Sequence, residues 1–213
     1  MLTPIKCAEL FKSSIPWKTG GEDTQYYIRK TNSTGEVLIM FAPSNSKLDW
    51  KNNFSFWKRP YKDMEVKFFC HGGFLKCWKL VRDEVEDEVK KLNPKSITVT
   101  GWSYGGAIAT LCMEDMWYLF PELRGEHLQC ITFGAPRVIG FLNYKKIKER
   151  WTNTRLFTNG SDIVTCVPFI CMMFRHVTQQ IHIGKLRHFI DFFKPQIYHD
   201  ISNYIESIRK IIR

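Results

Sequence analysis

Residues 101–105, Gly101-Trp102-Ser103-Tyr104-Gly105, set a serine between two glycines in a G-x-S-x-G pattern. A serine hydroxyl attacks a carbonyl only when a base takes its proton and a carboxylate orients that base. The pattern draws its meaning from its flanks. Ser96-Ile97-Thr98-Val99-Thr100 is rich in β-branched residues and reads as a buried strand, and Gly106 to Met113 reads as the start of an apolar helix. Strand, tight turn and helix are the parts of a nucleophile elbow, which lifts the serine above a sheet on a strained turn. Gly101 and Gly105 leave room for backbones that cross closely there. The helix N-terminus offers free N–H groups and the positive end of its dipole to an oxyanion. The chemistry implied is acyl transfer through a serine.

A carboxylate and a base must come from elsewhere in the chain. Asp162 stands in Asn159-Gly160-Ser161-Asp162-Ile163-Val164, in the turn after a strand read over 154–158. Four histidines follow it: His176, His182, His188 and His199. His199 sits immediately ahead of a terminal helix, in Tyr198-His199-Asp200-Ile201-Ser202-Asn203-Tyr204. Serine, then aspartate, then histidine is the chain order of α/β-hydrolases.

The elements around these residues follow from hydrophobic pattern. Glu36 to Phe41 reads as a buried strand ending before Pro43, and Val66 to Cys70 as another. Leu75, Trp78, Val81, Val85 and Val89 recur at helical spacing, so a helix is expected over 75–92, stopped by Asn93-Pro94. Its acidic run, Asp83 to Glu88, is expected to be a solvated face. Leu128 to Phe133 is a further buried strand, 141–150 a short basic helix, and Phe174 to Ile183 an extended stretch that could fold as a hairpin. Ser202 to Ile212 closes the chain as an amphipathic helix. Strand and helix alternate through the middle, which predicts an α/β fold: a mostly parallel central sheet flanked by helices on both faces. With 213 residues and no repeat or linker, one domain over 1–213 is expected.

Composition narrows the function classes. The net charge is +10, with +7 of it in residues 144–213. That surplus suits an anionic membrane surface, an acidic partner or a plain solvated face. No nucleic-acid-binding motif and no zinc-finger spacing is present. Seven cysteines without a C-x-x-C pair read as small core residues in a reducing compartment. The stretch Met1 to Trp17 lacks a signal-peptide core, and no run approaches a spanning helix. A cytoplasmic location, peripheral to membranes, is the expectation.

Several blocks, in order, resemble the class 3 lipases, the fungal-type triacylglycerol lipase family of α/β-hydrolases, from about residue 25 onward. Phe41-Ala42-Pro43-Ser44-Asn45-Ser46-Lys47-Leu48-Asp49-Trp50 resembles F-R-G-T-x-S-x-x-D-W, and Cys70-His71-Gly72-Gly73-Phe74 resembles V-H-x-G-F. Thr100 to Gly106 resembles T-G-H-S-L-G-G, and Thr132 to Val138 matches T-F-G-x-P-R-V. Asp162 to Pro168 resembles D-I-V-P-x-L-P, and His199 to Tyr204 resembles the terminal H-x-x-x-x-Y. The resemblance implies Ser103 as nucleophile, Asp162 as orienting carboxylate and His199 as general base and acid. It implies an oxyanion hole from Ser44 and the Tyr104 backbone N–H, with His176 structural. No metal and no organic cofactor is implied.

Three departures stand out: Trp102 for His, Tyr104 for Leu, and Ala42-Pro43 for Arg-Gly ahead of Ser44. The first two are expected to reshape the pocket floor. Proline lacks an N–H and fixes φ, so the oxyanion loop is expected to be set differently. By the same resemblance, residues 45–65 correspond to a lid. Trp50, Phe54, Phe56 and Trp57 among Lys47, Lys51, Lys58, Arg59 and Lys62 suit an anionic lipid interface. Ile163 to Phe174 could line an acyl pocket or pack as a plain core loop. The expected activity is ester hydrolysis on lipids, of triacylglycerol lipase or phospholipase A1 type. An esterase for small or feruloyl-type esters and a non-catalytic binding relative are the alternatives.

Overall fold

The middle strands of the central sheet, Glu36–Phe41 and Leu128–Phe133 among them, carry apolar and β-branched side chains that only a two-sided cover of helices can bury. The computed structural model describes residues 1–21, 24–44, 57–61, 67–141, 144–185 and 198–212. In chain order the elements are α1 (Pro4–Leu10), β1 (Lys18–Gly20), β2 (Thr24–Lys30), β3 (Glu36–Phe41), β4 (Lys58–Tyr61) and β5 (Phe68–His71). Then come α2 (Gly72–Leu92), β6 (Ser96–Trp102), α3 (Tyr104–Leu119), β7 (Leu128–Phe133), β8 (Ile139–Gly140) and α4 (Tyr144–Ile147). The last are β9 (Thr154–Asn159), β10 (Phe174–Arg175), β11 (Gln180–Ile183) and α5 (Ile201–Ile212).

Among the described residues the main sheet has seven strands in the order β1-β2-β3-β6-β7-β9-β11. From β3 to β11 every pairing is parallel, and β1 and β2 add antiparallel strands at one edge. Every residue of β3 and β7 is buried, as expected of strands covered on both faces. Alternation splits the core in two. Leu128 and Cys130 face the cluster under α2 and α3, while Ile131 and Phe133 face a second cluster under α1 and α5. The expected mostly parallel sheet with helices on both faces is therefore present.

A second sheet, β10-β8-β5-β4, is antiparallel and lies outside that pattern. It corrects the hairpin expected over 174–183. β10 pairs with β8 in the small sheet, whereas β11 pairs in parallel with β9 in the large one. One extended stretch thus serves two sheets. The helix expected from Leu75 begins three residues earlier, at Gly72, because the His71 ring nitrogen Nδ1 accepts the Phe74 N–H at 3.4 Å and caps it. The basic helix expected over 141–150 is shorter: α4 gives way to a 3₁₀ turn over Lys148–Trp151.

The acidic run of α2 is only partly solvated. Glu84 accepts the Tyr26 hydroxyl at 2.9 Å and Glu88 pairs with Lys18 at 2.6 Å, so two carboxylates tie the helix to β2 and β1. All seven cysteines are free. Cys7, Cys70, Cys112 and Cys130 are buried as read, but Cys166 and Cys171 are exposed. Among the described residues no helix is long and apolar enough to cross a membrane.

Candidate active site

The C-terminal ends of three parallel strands converge on one place. β6 ends at Trp102 and α3 begins at Tyr104, which leaves Ser103 alone at the turn with φ 58° and ψ −126°. That backbone is strained for a residue with a Cβ and marks the expected elbow. Close approach explains its glycines. A Cβ on Gly101 would lie 2.1 Å from the Gly105 carbonyl oxygen, and one on Gly105 2.2 Å from that of Phe41. The Ser103 N–H donates to the Phe133 carbonyl at 2.8 Å, pinning the turn to β7.

Asp162 follows β9 and caps the 3₁₀ turn Ile163–Cys166, its Oδ1 accepting the Val164 N–H at 3.0 Å. It is buried. Its other oxygen, Oδ2, meets His199 Nδ1 at 2.8 Å, and His199 Nε2 meets Ser103 Oγ at 2.7 Å. A carboxylate only accepts, so Nδ1 carries the proton, and Nε2 is left to accept the serine hydroxyl. Residues 103, 162 and 199 form one continuous hydrogen-bonded chain from three distant parts of the sequence.

Tyr204, one turn into α5, adds a contact to which the sequence reading assigned no role. Its hydroxyl donates to the same Asp162 Oδ2 at 2.5 Å. Burial, with Asp162 beside it, pushes the phenol well above its ordinary range, so it stays protonated and donates. The terminal H-x-x-x-x-Y block held the signal, since five residues carry the chain from His199 into the first turn of α5.

The aspartate turn is held from outside. Arg137 donates from Nη1 to the Cys166 carbonyl and, at 2.9 Å, to that of Pro168. Its own N–H donates to the Val167 carbonyl at 2.7 Å. The arginine of the Thr132–Val138 block therefore splints the turn. His176 is structural as expected: its Nε2 donates to the Thr165 carbonyl at 2.8 Å, and burial lowers its pKa to about 4, keeping the ring neutral.

Ser44 is half-buried just beyond the end of β3. β3 runs parallel to β6 with Phe41 opposite Gly101, so Ser44 lies at the sheet edge from which Ser103 emerges. Tyr104 heads α3. Its phenol shares a 2.9 Å hydrogen bond with Thr24 Oγ1, and its ring packs 6.1 Å from Phe74. Trp102 turns the other way, toward His199. The two departures from the family pattern thus lie on opposite sides of the serine.

Of the other candidates, His182 is an exposed residue of β11 on the rim of the main sheet. His188 and most of the expected lid, including Trp50, Phe54 and Phe56, lie outside the described residues. Trp57 is exposed, as are Phe169, Ile170 and Met173 in the apolar stretch after Asp162. Among the described residues no group of three His, Cys, Asp or Glu side chains could hold a metal ion.

A parallel sheet with a strained serine elbow and a Ser–His–Asp hydrogen-bond chain, in that chain order, defines an α/β-hydrolase. A family model described as Lipase (class 3) matches residues 38–172, and the chain belongs to that family. It is 30% identical over 173 residues to a lipase of Rhizomucor miehei, covering 78% of this chain and 47% of that protein. It is also 30% identical over 173 residues to a secreted mono- and diacylglycerol lipase A of Penicillium cyclopium, covering 76% and 52%. The chain spans about half the length of these curated relatives. The structure of the Rhizomucor miehei lipase–propeptide complex superposes with a TM-score of 0.70 at 26% identity, over 79% of this chain and 56% of that one.

Proposed function

We propose that this chain is a serine hydrolase of carboxylic esters, acting on acyl lipids in the manner of a triacylglycerol lipase or a phospholipase A1. The observation that carries the proposal is the unbroken Asp162–His199–Ser103 hydrogen-bond chain, with bonds of 2.8 and 2.7 Å. Ser103 Oγ attacks the ester carbonyl while His199 Nε2 takes its proton. Asp162 stabilises the imidazolium, with Tyr204 and the Val164 N–H stabilising Asp162 in turn. The oxyanion of the tetrahedral intermediate is held by the Tyr104 N–H at the head of α3 and by Ser44. Such donors are worth several kcal/mol because they meet charge only as it develops. His199 then returns the proton to the departing alcohol. Water attacks the acyl-enzyme by the same route and releases the acid.

The lipid part of the reading rests on the surface. Trp57, Phe169, Ile170 and Met173 are exposed apolar side chains. Lys58 lies over the Phe174 ring and Arg175 over that of Phe141. Aromatic and aliphatic groups interleaved with cations suit peripheral contact with an anionic lipid surface.

Hydrolysis of p-nitrophenyl esters of increasing acyl length tests the proposal. Wild type is expected to turn over, with its optimum at medium or long chains. Ser103→Ala and His199→Ala should each lose about 10⁴-fold or more in kcat while remaining folded. Folded wild-type protein that cleaves no ester, soluble or in vesicles, would sink the reading in favour of a binding module.

A further inference from the structure

The backbone that carries His199 is held by two side chains from the ends of the strands beneath it. Trp102, the last residue of β6, donates its indole N–H to the carbonyl of His199 itself at 3.0 Å. Asn159, the last residue of β9, donates to the carbonyl of Tyr198 at 3.2 Å, and its Oδ1 accepts the Ser207 hydroxyl of α5 at 2.8 Å. Two consecutive carbonyls are thus pinned to the sheet. Trp102 directly precedes Ser103, so its indole joins the serine's own strand to the histidine's own backbone, by a route separate from Asp162.

The indole is itself held in place. Phe11 packs edge-on against Trp102, with ring centroids 6.4 Å apart. It also touches Phe133 at 6.3 Å and Trp17 at 6.5 Å. The N-terminal segment that supplies Phe11 grips α5 as well. Lys12 donates to the Ser202 hydroxyl at 2.9 Å, and Glu9 pairs with Arg209 at 2.6 Å. These residues and α5 both lie outside the 38–172 stretch matched by the family model. Position 102 is also one where the sequence departs from the family pattern.

We infer that Trp102 is a positioning residue for His199, acting through the indole–carbonyl bond with Phe11 as its backing; this rests on the hydrolase reading above. The Asp162 bond sets which way the imidazole faces. It does not by itself set where the ring stands, because ring position follows the backbone. A general base works at hydrogen-bond distance, and a misplacement of about 1 Å costs up to about 10²-fold. Two anchors, one through the ring and one through the carbonyl, hold Nε2 on Ser103 Oγ.

Trp102→Phe tests this, since it keeps an aromatic ring against Phe11 and deletes the N–H along with the rest of the indole, and Phe11→Leu controls for the lost packing. Reactive sites are first counted with a fluorophosphonate that labels Ser103, with Ser103→Ala as the blank. Turnover of a short soluble p-nitrophenyl ester is then expressed per labelled serine. Trp102→Phe is expected to lower kcat about tenfold with KM within about twofold, and to slow fluorophosphonate labelling in parallel. Phe11→Leu, which loosens the ring without touching its N–H, should lose about threefold, and the double variant less than the product of the two. A purely structural role would lower the melting temperature and the labelled fraction while leaving turnover per labelled serine unchanged. Near-normal turnover per site in both single variants would overturn the inference alone. If Trp102→Phe does not fold, an unchanged Phe11→Leu suffices to overturn it. A wild type that neither labels nor turns over would overturn the hydrolase reading and this inference together.

Discussion

A single carboxylate oxygen carries most of the burden at the centre of this site. Asp162 Oδ2 accepts both His199 Nδ1 and the Tyr204 hydroxyl, while Oδ1 takes the Val164 N–H. A buried carboxylate with so many donors is held in one orientation. Tyr204→Phe removes this donor, together with the hydrogen bond between the Asn159 backbone and the hydroxyl, while the ring stays packed 6.1 Å from Phe133. A hydrogen bond to a charged group contributes about 1.5–3 kcal/mol. If roughly half of that is felt in the transition state, kcat should fall about tenfold with KM little changed. Steady-state kinetics on a soluble ester check this, and an unchanged kcat would make the phenol a packing group only. The sequence displays Ser103, Asp162 and His199 through order and neighbourhood. It cannot display that Tyr204 and His199 share one oxygen, because that depends on how α5 lies across the sheet.

The elements divide according to how strongly their own residues insist on a structure. β6, the elbow and α3 are legible because a β-branched run, two glycines and an apolar run agree with one another. β4 is not: Lys58-Arg59-Pro60-Tyr61 carries two cations and a proline, and is tolerated because β4 is the edge of the small sheet. β11 is equally quiet, since only Ile183 of its four residues is buried, and parallel pairing with β9 rather than its own pattern makes it a strand. The turn after β7 shows what the elements must leave open. Gly134 has φ +59°, and a Cβ there would stand 2.9 Å from both Asp162 Oδ2 and the His199 ring. Gly134→Ala is therefore expected to push the aspartate and imidazole apart and to strain the backbone. Ester hydrolysis should drop by about 10²-fold or more, by the cost of an ångström of misplacement. The melting temperature should fall by only a few degrees, as for a loss of about 1 kcal/mol. A variant with normal turnover per labelled serine would show that the loop yields without cost.

At the scale of the molecule, burial sets a pH range for stability that is separate from the chemistry at Ser103. Glu114 and Asp115 are adjacent on α3 and fully buried. Glu114 faces Arg150 at 3.4 Å, and Asp115 accepts Trp78 Nε1 at 2.8 Å and the Tyr61 hydroxyl. Arg82 and Glu86 of α2 act on Asp115 with opposing signs. Burial outweighs these partners and raises Glu114 from 4.5 to about 8 and Asp115 from 3.8 to about 7. The native state therefore holds protons that the unfolded chain releases near pH 4, and their stabilisation is lost as pH rises toward 8. His71 and His176 work the other way. Burial lowers both from 6.5 to about 4, so the unfolded chain binds their protons first and stability falls as pH drops through that interval. Between pH 4 and 6.5 the two pairs oppose each other, and above 6.5 only the carboxylates still titrate. Stability should run nearly level from about pH 4.5 to 6 and decline toward pH 8, visible as a lower melting temperature in a calorimetric series. Glu114→Gln removes one of the two titrations while keeping a polar group beside Arg150. The slope is the quantity to compare: the decline from pH 6.5 to 8 should be visibly shallower than in wild type. Parallel declines in the two proteins would mean that Glu114 is already ionised in the fold, held so by Arg150 against the cost of its burial.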